Sequence, residues 1–353
     1  MSAEAGRRTK IAIIGDRFMT PSTFEAAIRA RCDALLDIET IELPWPDEPM
    51  RHGYAEPGMD GLKEYQGDAE SIIDFVDLAE IAITQLAPFS AAMLKRMPAL
   101  KLIAVARGGP VNIDLAAARE QGILIVNAPG RNASAVAEFT IGAIIAETRL
   151  MTRGHDALRR GEWRGDLYRF DLVGRELSQM TVGVIGYGHI GTKVVRLLKG
   201  FGGRILVADP YVDLLPEDAR DGVVQTTLRA LLRESDVVTL HARVTKETLG
   251  FIGQAEFAAM RKGAVFINTA RGPMVDHDAL TEALKSGHLR GAMLETFAVE
   301  PAPAGLELLR LDNVTLTPHI AGASLKTIER AADAAAEEVR RYLAGEAPLN
   351  PCG

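Results

Sequence analysis

The sequence predicts an α/β protein built from two parallel-sheet domains, one inserted into the other, and three observations carry that expectation. The chain has 353 residues, too many for one ordinary core and enough for two. Short β-rich apolar runs alternate with longer helical patterns, the grammar of βαβ units and of parallel sheets. The alternation then restarts at mid-chain, after one long helical stretch.

Taken in order, the first set of strands is Lys10–Gly15, Ile38–Leu43, Ile81–Thr84, Lys101–Ala106 and Ile123–Asn127, with helices over Thr23–Leu36 and Ala69–Val76 between them. Pro44–Gly67, rich in Pro, Gly and charge, is the longest irregular stretch. Arg131–Met151 has cap candidates in Asn132 and Ser134, then Val136, Phe139, Ile141, Ile144 and Ile145 at helical spacing, so it predicts one connecting helix. The second set of strands is Thr181–Gly186, Arg204–Asp209, Val237–His241, Ala264–Asn268, Gly291–Leu294 and Val314–Thr317. Leu325–Leu343 is Ala-rich and free of Gly and Pro, which predicts a single helix packing back on the first unit. The domains are therefore expected at 127–318 for the insert and at 1–126 with 319–353 for the host.

Composition narrows the function. Apolar residues at 47% and charged residues at 25% describe a globular chain, not a disordered one. A net charge of −7 supplies no bulk attraction for nucleic acid or an anionic membrane. Two cysteines, Cys32 and Cys352, cannot build a disulfide framework or a cysteine metal site, so free thiols and a reducing compartment are expected, and no metal. The polar start Met1–Lys10, the short apolar run Ile11–Ile14 and the lack of any apolar stretch near 18 residues point to a soluble cytoplasmic protein.

The chemistry-bearing motif is Gly186-Tyr187-Gly188-His189-Ile190-Gly191, which follows a predicted strand and opens a predicted helix. Glycines there allow a tight turn, close approach of a pyrophosphate to backbone N–H groups and helix-on-strand packing. Asp209, followed by Pro210, ends the next strand, where a carboxylate accepts both adenosine ribose hydroxyls and repels a 2′-phosphate. The pair favours NAD over NADP. A dehydrogenase also needs a base beside the nicotinamide. Three residues follow strands of the second set: Arg271 in Asn268–Gly272, Glu300 before Pro301, and His319 in Thr317–Gly322. The carboxyl ends of parallel strands face the ligand crevice, so the three can converge.

These residues resemble the D-isomer-specific 2-hydroxyacid dehydrogenases over nearly the whole chain. The likeness rests on Gly186–Gly191 with Asp209, Asp236–Thr239 leading into His241, Asn268–Arg271 with Val275-Asp276, Glu300-Pro301, and Pro318–Gly322. It implies a Rossmann NAD domain inserted into a flavodoxin-like substrate domain, a homodimer built through the cofactor domains, and an active site between the domains. By the same resemblance, His319 donates and accepts the proton, Glu300 holds its imidazole, and Arg271 binds the substrate carboxylate. His241, Ala270, Arg271, Glu295, His319 and Gly322 would line the cofactor. Arg107, Gly108 and Gly109, within Ala104–Asp114, correspond to the family's substrate loop.

Three features depart from the family pattern: the substrate loop Ala104–Asp114 is about two residues shorter than the common form, Arg243 stands where Pro is usual, and Glu295 where Asp is usual. The family also holds C-terminal binding proteins, NAD(H)-sensing transcriptional partners, and retention of Arg271, Glu300 and His319 argues against that reading. Formate dehydrogenases use Gln where Glu300 stands. Arg107 leads to one more expectation: a cation there is costly unless answered, either by a second anionic or strongly polar substrate group, as in a phosphorylated or sugar-derived acid, or by a protein carboxylate or the one substrate carboxylate.

Overall fold

The computed structural model describes residues 8–45, 51–52 and 57–352. Most of the polar start Met1–Lys10 and part of the Pro44–Gly67 loop lie outside the described residues. In chain order the strands are β1 (Thr9–Gly15), β2 (Leu36–Glu42), β3 (Arg51–His52), β4 (Lys63–Tyr65), β5 (Ile81–Thr84), β6 (Leu102–Val105) and β7 (Leu124–Asn127). They continue as β8 (Thr181–Ile185), β9 (Arg204–Ala208), β10 (Val224–Gln225), β11 (Val237–Leu240), β12 (Ala264–Asn268), β13 (Leu289–Leu294), β14 (Val314–Leu316) and β15 (Pro351–Cys352).

The chain divides into two compact units, Met1–Asn132 with Ser324–Gly353, and Ala133–Ala323. Both breaks fall a few residues beyond the sequence-based bounds, so His319 belongs to the inserted unit. The cause is local: the backbone N–H of His319 donates to Glu295 O at 3.0 Å and that of Ala321 to Glu295 Oε1 at 2.7 Å, tying this segment to the end of β13.

In the first unit the sheet order is β15-β7-β6-β5-β1-β2. The five longer strands are parallel and run in the flavodoxin-like order, reversing direction of growth between β1 and β5. β5 and β6 are buried along their whole length, as expected of strands covered on both faces. The sheet is not purely parallel. The last residues add β15 antiparallel to β7, an element too short to carry a periodic signal. Helix Leu325–Leu343 does return to this unit: Ala331, Ala332, Ala335, Ala336 and Val339 pack with Ile11, Ile13, Phe24 and Ile28. Its small side chains let the helix lie close to the layer beneath.

The inserted unit has the order β10-β9-β8-β11-β12-β13-β14, the Rossmann arrangement with one further parallel strand. Its connecting helix differs from expectation. Two helices, Ala133–Thr148 and Met151–Arg159, are separated by Leu150 in the left-handed region (φ 58°). Leu150 buries its side chain across that turn, which satisfies the apolar period without continuing the helix. The first helix of the chain is also shorter than expected, Pro21–Arg29, because Leu36 is taken up by β2. Among the described residues no helix is long and apolar enough to cross a membrane, and no group of three or more His, Cys, Asp or Glu could hold a metal.

Glu338 fastens the chain's end to this layer. Buried on helix Leu325–Leu343, it accepts hydrogen bonds from the backbone of Leu349 (3.1 Å) and Asn350 (2.7 Å) and from the Asn350 amide (3.1 Å). Glu338→Ala leaves these donors unanswered and is expected to destabilise the first unit by about 1–3 kcal/mol. The denaturant midpoint reads the loss, and amide exchange at Cys352 should quicken as β15 detaches.

Candidate active site

The glycine-rich turn joins β8 to helix Gly191–Lys199. Gly186 has φ 92°, and a Cβ there would lie 2.7 Å from the carbonyl carbon of His241, so only glycine closes this turn against the end of β11. Gly188 faces open space, with nothing within 4 Å of where a Cβ would stand. Tyr187 points inward, its buried hydroxyl donating to Asp218, which Lys199 holds at 2.6 Å. His189 is exposed and Ile190 half-buried at the helix start, while Gly191 is buried.

Asp209 follows β9 and is drawn back to the turn: Oδ2 accepts from the Tyr187 amide at 2.8 Å, and Oδ1 from those of Tyr211 (2.8 Å) and Val212 (3.1 Å). Pro210 beside it is exposed. His241 is buried, with Nε2 2.9 Å from Thr239 Oγ1 and Nδ1 without a partner. Burial pushes its pKa down to about 3, so the ring is neutral at any working pH. An open cradle at Gly188, a carboxylate at the end of β9 and an unanswered imidazole nitrogen suit a dinucleotide.

The second cluster hangs from the carboxyl ends of three neighbouring strands, β12, β13 and β14. Arg271 follows β12 and is exposed; its Nη1 donates to Ala270 O at 2.8 Å. Asn268 shapes this turn, accepting from the Ala270 amide (3.0 Å) and donating to Arg271 O (3.2 Å). Gly272 lets the turn press against the loop after β13, since a Cβ there would lie 1.9 Å from the carbonyl carbon of Phe297. In that loop Glu300 Oε1 accepts from the Phe297 amide at 2.9 Å. Its Oε2 meets Nδ1 of His319, from the loop after β14, at 2.8 Å. Among the described residues the other ring nitrogen, Nε2, makes no hydrogen bond.

His319 occupies the left-handed region (φ 53°), which an L residue adopts only when its surroundings hold it there. Glu295 does the holding, through the His319 and Ala321 amides described above. Burial opposes a charged His319, yet the hydrogen bond and charge of Glu300, helped by Glu295, outweigh burial and raise its pKa above the usual value. Burial likewise raises the pKa of Glu295, against the attraction of His319 and the Ala321 amide. Ala270 is buried and Gly322 half-buried.

The first unit has its own polar group at the carboxyl end of its sheet. Arg107, after β6, is paired with Glu64: Nη2 to the carboxylate and Nη1 to the Glu64 carbonyl at 2.9 Å. A protein carboxylate therefore answers Arg107. Gly108 and Gly109 beside it are exposed. Glu64, Gln85 and Arg131 gave no sequence signal, since isolated polar residues in loops are common; Gly272, within the motif, was legible only as part of its turn. Arg243 is exposed and anchors its loop by its carbonyl, which accepts from Thr248 Oγ1 at 2.7 Å.

Residues 141–321 match the family described as D-isomer specific 2-hydroxyacid dehydrogenase, NAD binding domain. The chain is 38% identical over 258 residues to a glyoxylate reductase of Thermofilum pendens, covering 73% of this chain and 76% of that one. It is 36% identical over 317 residues to a glycerate dehydrogenase of Methylorubrum extorquens, covering 88% and 96%. The structure of a D-2-hydroxyisocaproate dehydrogenase superposes with a TM-score of 0.81 at 26% identity, covering 98% of this chain and 99% of that one. The chain belongs to the D-isomer specific 2-hydroxyacid dehydrogenase family. It is an NAD-dependent oxidoreductase of small 2-hydroxy and 2-oxo acids.

Two outcomes follow from the geometry. Glu300→Gln keeps a hydrogen-bond partner for Nδ1 but removes the charge, so the His319 titration midpoint, followed by NMR of the ring, should move to lower pH; an unmoved midpoint would mean that Glu300 does not set it. Asp209→Ala should weaken NADH binding roughly tenfold or more and narrow the gap to NADPH, as read by fluorescence titration with both cofactors.

Proposed function

We propose that this chain interconverts a short D-2-hydroxy acid and its 2-oxo acid with His319 as the proton donor and acceptor, Glu300 as its positioning partner and Arg271 as the carboxylate ligand. The observation that carries this reading is the His319 ring, held at Nδ1 by Glu300 and, among the described residues, left without a hydrogen bond at Nε2, after β14, with the Glu300 strand β13 lying between it and β12, which presents Arg271. NADH, when bound, supplies the hydride. In reduction, Nε2–H of the imidazolium gives its proton to the substrate carbonyl oxygen as the carbon is reduced; in oxidation, neutral Nε2 takes the hydroxyl proton back. A guanidinium matches a carboxylate with two parallel hydrogen bonds, which orients the acid and draws charge toward the carbonyl.

Gly186–Gly191 with Asp209 and Pro210 would hold the dinucleotide's adenosine and pyrophosphate. His241, Ala270, Glu295 and Gly322 would line its other end. Neutral His241 offers the unpartnered Nδ1, a contact that costs no desolvated charge. Arg107, Gly108 and Gly109 would take the substrate from the first unit. The glyoxylate and glycerate relatives support an acid of two or three carbons. A homodimer through the inserted unit is supported by Trp163, Tyr168 and Phe170, 86%, 92% and 97% exposed within one stretch of that unit. A cytoplasmic setting fits the two free thiols.

The raised His319 pKa gives the pH dependence its sign. Reduction needs the imidazolium, so kcat/KM for a 2-oxo acid should hold level and then fall as pH rises through the His319 midpoint, while oxidation rises over the same interval. His319→Ala should lower kcat by about 10²–10⁴-fold and leave NADH affinity nearly intact. The deciding assay follows NADH absorbance with glyoxylate, pyruvate, hydroxypyruvate, phosphohydroxypyruvate and four- to five-carbon 2-oxo sugar acids; no turnover of any of them would refute the reading. Light scattering should give two chains for the wild type and one for Phe170→Glu, and a single chain in the wild type would refute the dimer.

A further inference from the structure

In the inserted unit the loop that follows β9, from Asp209 to Leu215, is pinned by two side chains outside it. Gln225, on the edge strand β10, uses both halves of its amide on the loop. Its Nε2 donates to Asp209 O at 3.2 Å and to Val212 O at 3.0 Å, and its Oε1 accepts from the Leu214 amide at 3.2 Å. β10 is itself fixed to β9, with Gln225 opposite Val207 and the Thr226 amide donating to Val207 O at 2.8 Å. Tyr187, in the glycine-rich turn, takes the two ends of the loop. Its amide donates to Asp209 Oδ2 at 2.8 Å, and its hydroxyl, which donates to Asp218, accepts from the Leu215 amide at 3.4 Å. The loop carries Asp209 and Asp213 and neither Lys nor Arg, so it offers no side-chain cation to a 2′-phosphate.

Resting on the assignment of Asp209 to the adenosine ribose, we infer that Gln225 is a positioning residue for cofactor choice: by fixing the carbonyls of Asp209 and Val212 it sets where the Asp209 carboxylate stands, and through it the preference for NAD over NADP. A hydrogen bond to a ribose hydroxyl weakens steeply once distance or direction is lost, so the carboxylate serves only from a fixed place. NADH gains from a carboxylate held there, while NADPH meets the same group as a like charge beside its 2′-phosphate. Releasing the loop therefore weakens the first and spares the second. A general loss of packing would weaken both alike.

The ratio of the NADPH and NADH dissociation constants, from fluorescence titration, separates the two. Gln225→Met, similar in length but with no N–H to donate, should weaken NADH binding by about tenfold and narrow the ratio by about fivefold or more. With Asp209→Ala already in place, Gln225→Met should change the ratio by less than about twofold, because the residue through which it acts is gone. A Gln225→Met ratio equal to the wild-type ratio, or an equal narrowing with and without Asp209, overturns the inference. If Gln225→Met does not fold, by circular dichroism, Gln225→Asn, one methylene too short to reach both carbonyls, carries the same expectations. Failure of both to fold overturns the inference, since Gln225 would then hold the whole unit and not the loop alone. Narrowing by Asp209→Ala but not by Gln225→Met overturns the positioning role alone; an Asp209→Ala ratio equal to the wild-type ratio overturns the ribose assignment beneath it.

Discussion

The hydrogen bond between Glu300 and Nδ1 of His319 is the contact on which the rest of the inserted unit's site depends. It fixes which ring nitrogen is engaged, and it favours the imidazolium in a place where burial would discharge it. The bond can form only because the two residues end neighbouring parallel strands, β13 and β14, whose carboxyl ends lie side by side. The ring's direction depends in turn on a left-handed backbone at His319, and Glu295 maintains it from the end of β13. Gly272 completes the set by letting the Arg271 turn touch the Glu300 loop.

Two histidines in this unit show how environment divides one side chain into two roles. His319 and His241 both lose water on folding. His319 gains two carboxylates and is raised; His241 gains only the Thr239 hydroxyl and falls to about 3. One ring is thereby held toward its charged form and the other kept neutral by their partners alone.

The arginines divide in a similar way. Arg271 is exposed and makes no ion pair among the described residues, so its fork is available to an acid. Arg107 in the first unit is occupied by Glu64, and Arg131 sits buried against Gln85. A cation held by its own protein recognises a different ligand from a cation left open, although the two read alike in a sequence.

Much of this architecture was legible from residue order. The positions of the longer strands, the helix Leu325–Leu343, the glycine turn with Asp209, and Arg271, Glu300 and His319 after successive strands all follow from periodicity, turn chemistry and spacing, which are local properties of the chain; the two- and three-residue strands β3, β4 and β10 are too short to leave such a signal. What stayed illegible depends on atoms brought together from far apart. Leu150 breaks the connecting helix because its side chain finds burial across a turn, and β15 exists only because β7 offers an unpaired edge. Neither leaves a periodic trace. The Glu64 grip on Arg107, the reach of Arg131 to Gln85 and the hold of Glu295 on the His319 turn span separations that no spacing rule encodes. The sequence by itself determined which residue types stand at the strand ends; tertiary structure alone decided which charges are neutralised, because an ion pair is set by distance in space and not by distance along the chain.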